Sequence, residues 1–380
     1  MNSTAAAFVH SPELDAYHYP ADCPFSAQRA GKARKTLAEL GLLAGDGRRE
    51  VAPKPATRAE LERFHAPEYL TALLRAAGGE LDAAGLNMGL GTPDCPVFPD
   101  MYAYPEAACG ASLTAARLLL AGEVSIAFNP SGGYHHAGPA HAAGFCYLND
   151  VVLACQELTG HGRRVAFVDV DAHHGDGVQA AFYERDDVLT LSLHESGRTL
   201  FPGTGFVDEF GHGKGRGYSV NVPFPMGTYD AAYLRAFEAV AVPLLTAYAP
   251  DVLVLELGMD GLADDPLTNL RLTNNVYAEI IQRLLQLGRP LLATGGGGYH
   301  VENTARGWAL AWSVLCGADE SVELSAGLGG VMLESSEWSG GLRDRELPVD
   351  RRRRRLVEQA VDAAIANIRE NVFPLHGLSA

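Results

Sequence analysis

The stretch Val165-Ala-Phe-Val-Asp-Val-Asp-Ala-His-His-Gly-Asp-Gly177 decides how this chain is read. It opens as an apolar, β-branched run and closes in residues that bind metals. Side chains on an extended strand alternate faces with a period of two. Asp169, Asp171 and His173 therefore share one face as far as the strand runs, and Val168, Val170 and Ala172 share the other. Two carboxylates and an imidazole in one row make a partial metal site. Gly175 and Gly177 then end the strand and allow a sharp turn. The alternative is a buried strand with a solvated polar tip. Three ionisable groups on one face need a compensating partner, which favours the metal.

Working outward, the chain repeats one pattern. Apolar runs at 6–9, 125–128, 188–193, 218–222, 251–257 and 290–294 read as further strands. Helical spacing of apolar residues covers 29–43, 56–64 with Thr57 as N-cap, 67–77, 104–121, 149–159, 230–248, 275–287 and 302–315. A long loop rich in glycine and proline spans 78–100, and long loops in compact domains are usually functional or disordered. The expected fold class is α/β: one domain with a mostly parallel central sheet of about eight strands and helices on both faces. Ligands of such sheets bind beyond the carboxyl ends of the strands. Each reactive segment here follows a strand.

Composition narrows the function. The 380 residues are 47% hydrophobic and 20% charged, which suits a globular protein. The reactive residues are spread along the chain with no Pro/Ser-rich linker between them, so one domain over 1–380 is expected. The formal net charge of −16 argues against direct nucleic-acid binding and suits a cationic substrate or simple solubility. Cys23, Cys95, Cys109, Cys146, Cys155 and Cys316 form no Cys-x-x-Cys pair and read as reduced thiols of a cytoplasmic protein. The N-terminus lacks the pattern of a signal peptide, and no run of about 18 apolar residues predicts a membrane span. The run Asp350-Arg-Arg-Arg-Arg-Arg355 continues into Val357, Ala360, Val361, Ala364, Ile365 and Ile368 at helical spacing. It reads as an amphipathic helix with a solvated basic start rather than a partner site.

Four segments carry chemistry. Asp171 and His173 are the first, and Asp260 in Gly258-Met-Asp-Gly261 is the second. Together they form a three-ligand site of the kind that leaves zinc a position for water and substrate. Two carboxylates largely cancel the ion's charge, so separate bases are needed. The third segment, Asn129-Pro-Ser-Gly-Gly-Tyr-His-His-Ala-Gly138, offers His135 and His136, which serve either as ligands or as a general base and acid. Asp169 and Asp176 are left over to fix their tautomers. The fourth is Gly295-Gly-Gly-Gly-Tyr299. It lacks the Gly-Lys-Ser/Thr ending of a phosphate loop. Its glycines instead let Tyr299 approach the metal and donate to an oxyanion, unless that ring is only packed.

These residues resemble the zinc-dependent histone deacetylase family, of the arginase–deacetylase fold. The similarity runs from about Ser11 to Trp308. It includes Ser11-Pro-Glu-Leu-Asp15, Asp94-Cys-Pro96, Gly132-Gly-Tyr-His-His-Ala137, Gly144-Phe-Cys-Tyr-Leu-Asn-Asp150, Asp169-Val-Asp-Ala-His-His-Gly-Asp-Gly177, Phe201-Pro-Gly-Thr-Gly205 and Gly295-Gly-Gly-Gly-Tyr299. The likeness is nearest to class I enzymes and to prokaryotic acetoin utilization proteins, which Asp265-Pro-Leu-Thr268 resembles.

The resemblance implies roles. Asp171, His173 and Asp260 bind zinc, with iron as an alternative. His136, paired with Asp176, is the base, and His135, paired with Asp169, is its electrostatic partner or proton donor. Tyr299 hydrogen-bonds the substrate carbonyl. Phe145 and Phe201 line a tunnel floored by Gly144, Leu267 lies near its rim, and Asp94 grips the substrate backbone. Potassium binds main-chain oxygens of Asp169, Asp171 and His173 together with Ser192 and Leu193, and a second potassium involves Phe182, Val188 and Tyr218. The implied activity is hydrolysis of N6-acetyl-lysine amides in proteins or peptides.

Two positions depart from the family pattern. Tyr134 stands beside the His pair where a bulky apolar residue is usual, and Met259 replaces a small residue. Three other functions compete. An acetylpolyamine amidohydrolase would act on a small cation. A ureohydrolase needs further carboxylates, and Gly258 stands where one is expected. A non-enzymatic binder predicts a lost catalytic group, and none is missing.

Overall fold

The computed structural model describes residues 5–45, 47–319 and 341–380. Asp46 lies outside them, as do the first four residues and 320–340. Eight strands form the sheet: β1 (Ala6–Val9), β2 (Arg48–Val51), β3 (Ile126–Asn129), β4 (Val165–Asp169), β5 (Val188–Glu195), β6 (Ser219–Phe224), β7 (Val252–Glu256) and β8 (Leu291–Thr294). Their order is β2-β1-β3-β8-β7-β4-β5-β6, and every pairing is parallel. The chain is thus a single α/β domain with an all-parallel sheet, as the strand–helix alternation predicts.

Strand alternation sorts the core into two layers. Ala6, Phe8, Ala166, Val168, Leu253, Leu255, Leu291 and Ala293 point to one face and pack with residues of the helices Gln28–Glu39, Asn274–Leu285, Val301–Leu315 and Arg351–Asn371. Ala7, Val9, Val165, Phe167, Val252, Val254 and Leu292 point to the other, against Ala103–Leu120, Asp150–Gly160 and Asp176–Phe182. A third cluster, with Tyr69, Tyr104, Tyr134 and Tyr147, packs the loops beyond the carboxyl ends of the strands. The C-terminal helix buries Val357, Val361, Ala364, Ile365 and Ile368 and leaves most of its arginines exposed, which is its expected amphipathic arrangement.

Some elements differ from expectation. β2 was not expected, because its Arg-Arg-Glu-Val sequence carries no apolar signal; it is an edge strand recruited by pairing with β1. The long loop contains a short helix, Ala83–Asn87, started by the Asp82 side chain. The expected helix 230–248 is interrupted by a π-turn at Phe237–Ala241. Pro243 follows directly and lacks the N–H that an unbroken α-helix needs there. Among the described residues no helix is long and apolar enough to cross a membrane.

One buried histidine ties the scaffold to the loops above it. His65 Nε2 accepts the Asn149 N–H at 3.0 Å, and Asn149 donates its side-chain amide to the Ala137 carbonyl at 2.9 Å. Burial lowers the His65 pKa from 6.5 to about 4. The folded form therefore binds this proton less readily than the unfolded chain between these limits, and stability present above the unfolded pKa is lost as pH falls towards the folded one. Denaturant titrations should show the wild type losing about 3 kcal/mol more than His65→Gln between pH 7 and 4. Equal losses in the two proteins would refute this linkage.

Candidate active site

The four neighbouring strands β3, β8, β7 and β4 end on the same side of the sheet. The segment after each one supplies part of the site. His135 and His136 follow β3, Gly295–Tyr299 follows β8, Asp260 follows β7, and Asp171 to Asp176 follow β4. Adjacency in the sheet is what gathers residues more than a hundred positions apart.

The β4 ladder stops at Asp169, yet the alternation continues: Val170 and Ala172 enter the apolar layer. Asp169 and Asp171 fold the segment after the strand through their own side chains. Asp169 Oδ1 accepts the Asp171 N–H at 3.0 Å, and Asp171 Oδ1 accepts the His173 N–H at 2.8 Å.

Asp171, His173 and Asp260 are buried, with ligand-capable atoms all within 4.8 Å of one another. His173 Nδ1 lies 2.8 Å from Asp260 Oδ2 and 3.2 Å from Asp171 Oδ1. Bonds of 2.0–2.1 Å to a tetrahedral ion put donor atoms about 3.3 Å apart, so the His173–Asp171 separation already suits such an ion and His173 and Asp260 need only move slightly apart. The remaining oxygens are anchored: Gly297 N–H donates to Asp171 Oδ2 at 2.6 Å and Ala172 N–H to Asp260 Oδ1 at 2.8 Å. Burial and the Asp171 charge raise Asp260 to about 7, the cost of holding acids together without a cation. A Cβ on Gly258 would overlap the Asp171 carboxylate, so a further acid cannot stand there. That removes the ligand a ureohydrolase-type pair of metals requires.

The two histidines each face a carboxylate. His135 Nδ1 is 2.9 Å from Asp169 Oδ2, and His136 Nδ1 is 2.8 Å from Asp176 Oδ1. Their Nε2 atoms are 3.0 Å apart and converge on one spot. Burial opposes charge on both rings. For His135 the charges of Asp169 and Asp171 outweigh burial and lift its pKa to about 9. For His136 burial and the adjacent His135 cation lower it to about 4. The two rings thus differ in proton affinity, His135 favouring the charged form and His136 the neutral one.

Aromatic rings enclose the approach. Phe201 lies edge-on to His136, with centroids 5.0 Å apart, and is 44% exposed. Phe145 is 5.6 Å from the Tyr299 ring, which in turn is 6.3 Å from His173. Gly144 is in the left-handed region with φ 54°, and a Cβ there would collide with His136 and Phe201. Asp94 accepts the Gly144 N–H at 2.8 Å. Leu267 is 38% exposed, and its N–H and that of Tyr299 donate to opposite oxygens of Asp265. Asp265 so ties the rim to the catalytic tyrosine candidate.

The residues expected at potassium fall into two groups. Ser192 is the register partner of Asp169, with Leu193 next to it. Val188 begins the same strand, about 13 Å away along it. Phe182 ends the helix Asp176–Phe182, and Tyr218 precedes β6 and accepts the Thr190 N–H through its carbonyl. Tyr134 is buried, its hydroxyl without a geometric partner among the described residues but facing Tyr104, whose ring centroid is 6.3 Å away. Met259 packs against Gly307, which has no Cβ to obstruct it.

Sequence reading missed three residues here. Arg29 is buried, donates to the Gly298 carbonyl at 2.8 Å and stacks over Phe25, bracing the glycine turn. Glu256 lies 3.1 Å from His135 Nδ1. Its signal was a charge at the end of an otherwise apolar strand. Asp150, quoted only as the end of a motif, holds the histidine loop. Its carboxylate accepts the N–H groups of Gly133 at 3.0 Å and Tyr134 at 2.8 Å and the Ser112 hydroxyl at 2.5 Å.

Known proteins resemble the chain throughout. The family model described as "Histone deacetylase domain" matches residues 23–315. "Histone deacetylase 8" of Xenopus tropicalis is 42% identical over 299 residues, covering 78% of this chain and 80% of that protein. "Acetoin utilization protein AcuC" of Bacillus subtilis (strain 168) is 39% identical over 327 residues, covering 84% of each. The crystal structure of an HDAC homologue from Aquifex aeolicus superposes with a TM-score of 0.79 at 30% identity, over 94% of this chain and 99% of that one. An HDAC homologue complexed with SAHA gives 0.80 at 30% identity, over 95% and 100%.

Replacing Asp150 by Ala strands three buried donors at once. Asp150→Ala should lose about 2–4 kcal/mol of unfolding free energy, read by denaturant titration, and Ser112→Ala clearly less. Equal effects would mean that the carboxylate does not organise the loop.

Proposed function

The chain belongs to the histone deacetylase family, and from that premise we propose that it is a zinc-dependent hydrolase of N6-acetyl-lysine, or a related acyl-lysine, in proteins or peptides. The observation that carries the reading is the convergence of an Asp–His–Asp trio, two His–acid pairs and Tyr299 at the floor of an aromatic approach. In this reading one catalytic domain spans 1–380. Six unpaired cysteines support a cytoplasmic setting.

Asp171, His173 and Asp260 hold the ion. When bound, it polarises the amide carbonyl and acidifies water, as zinc does with three protein ligands, and iron is the alternative. Phe145 and Phe201 flank the apolar acyl-lysine stem, with Gly144 leaving room between them and Leu267 at the rim. Asp94 grips the substrate backbone at the mouth. His136, neutral at pH 7, takes a proton from the attacking water. Tyr299 donates to the carbonyl oxygen as negative charge builds on it; burial and the nearby acids raise its pKa and keep that proton in place. The carbon–nitrogen bond breaks as His135, cationic beside Asp169, supplies a proton to the departing amine. Asp176 orients His136 throughout. Potassium at Asp169, Asp171, His173, Ser192 and Leu193, and at Phe182, Val188 and Tyr218, completes the proposal.

The net charge of −16 favours a second reading, hydrolysis of small acetylated polyamines. Turnover of acetyl-lysine peptides and acetylated polyamines, compared side by side, separates the two: a preference for the peptide by kcat/KM is expected, and the reverse preference transfers the assignment. Hydroxamates and chelators should abolish activity. Tyr299→Phe should lower kcat by about 10²–10³ with a smaller change in KM; unchanged turnover would remove the oxyanion role. Gly258→Ala presses a methyl group on Asp171, so calorimetric zinc titration should show affinity weakened by about tenfold or more. Wild-type affinity in that variant would take Asp171 out of the ligand set.

A further inference from the structure

Glu256 ends β7 in register with Asp169 on β4, so their side chains stand beside each other on neighbouring strands. It is fully buried between Leu255 and Leu257. Neither carboxylate oxygen has a hydrogen-bond partner by strict geometry among the described residues. A buried acid left so costs several kcal/mol unless something nearby uses it. The nearest polar hydrogen belongs to His135: Nδ1 is 3.1 Å from Glu256 Oε1 and 2.9 Å from Asp169 Oδ2. The ring nitrogen is therefore within reach of two carboxyl groups, bonded to Asp169 and with Glu256 close beside it. The Nδ1 atom, an Asp169 oxygen and a Glu256 oxygen lie within 4.8 Å of one another. The zinc trio proposed above uses other residues, so Glu256 is left for the histidine.

We propose that Glu256 is a positioning residue for the acid–base pair: with Asp169 it forms a two-sided cradle for the Nδ1 edge of His135. The cradle stops that ring from rotating about its Cβ–Cγ bond and keeps Nε2 on the shared spot with His136. A single carboxylate restrains the N–H from one side only; the second closes the other side. Shared, three-centre hydrogen bonds of this kind are ordinary in proteins. The role needs an acceptor at the right place rather than a second charge. An amide is then a close substitute, and an alkyl chain is not.

This inference rests on the deacylase reading, and two variants with two readouts test it. Glu256→Gln keeps an acceptor, and Glu256→Leu keeps only volume. With zinc content and circular dichroism unchanged, Glu256→Gln should stay within about threefold of wild-type kcat on an acetyl-lysine peptide, while Glu256→Leu falls by about thirtyfold or more with KM little altered. Wild-type kcat in the folded leucine variant overturns the proposal, and so does a glutamine variant as slow as the leucine one. Independently of turnover, the His135 Nδ1–H resonance in ¹⁵N-histidine-labelled protein should shift in Glu256→Gln. A resonance identical to wild type overturns the proposal even where the leucine variant does not fold. Wild-type protein inactive on every acylated amine but showing the shift would sink the deacylase reading and leave the cradle standing.

Discussion

Crowding of buried acid is the constraint on which the rest of this structure depends. Asp169, Asp171, Glu256 and Asp260 are fully or almost fully withdrawn from water at the ends of two adjacent strands. Such groups repel one another and lose hydration, and they remain only where opposite charge or oriented N–H groups offset the loss. The sheet supplies both. His135 and His173 stand among the acids, and the amides of Asp171, Ala172, His173 and Gly297 point at their oxygens. A cation held by Asp171, His173 and Asp260 would supply the remaining compensation.

Close packing around those acids explains the glycines. At Gly258 and Gly297 a side chain would overlap the carboxylates of Asp171 or Asp260, and at Gly144 it would overlap His136. These residues are selected for the space they leave. The same economy holds for the histidine loop, which has no secondary structure of its own. It borrows rigidity from Asp150 at its start and from Asn149 at its end. Both belong to the start of the helix Asp150–Gly160, so one helix N-terminus positions both imidazoles.

Division of labour between His135 and His136 follows from the same arrangement. Both rings are buried and each meets a carboxylate at Nδ1, yet their pKa values move apart. The deeper ring faces more negative charge, from Asp169 and Asp171, and holds its proton. The other meets that held proton across 3.0 Å and gives up its own. Two neighbouring imidazoles thereby acquire different proton affinities without different covalent chemistry.

Much of this was legible in the residues alone. Period-two and helical spacing are local properties, and they placed seven of the eight strands and the sheet's character, and they singled out Asp171, His173 and Asp260, which the fold sets together. The family resemblance named the histidine pairs and Tyr299 by motif. β2 escaped because its residues carry no apolar pattern and only pairing with β1 makes them a strand. Glu256, Asp150 and Arg29 escaped because a single charged residue carries no periodicity; its meaning lies in what the fold sets beside it. Chain order decided which residues follow which strand. Only the order β3-β8-β7-β4 in the sheet decided that those strand ends meet, because lateral neighbours in a parallel sheet are chosen by burial and hydrogen bonding between segments far apart in the chain.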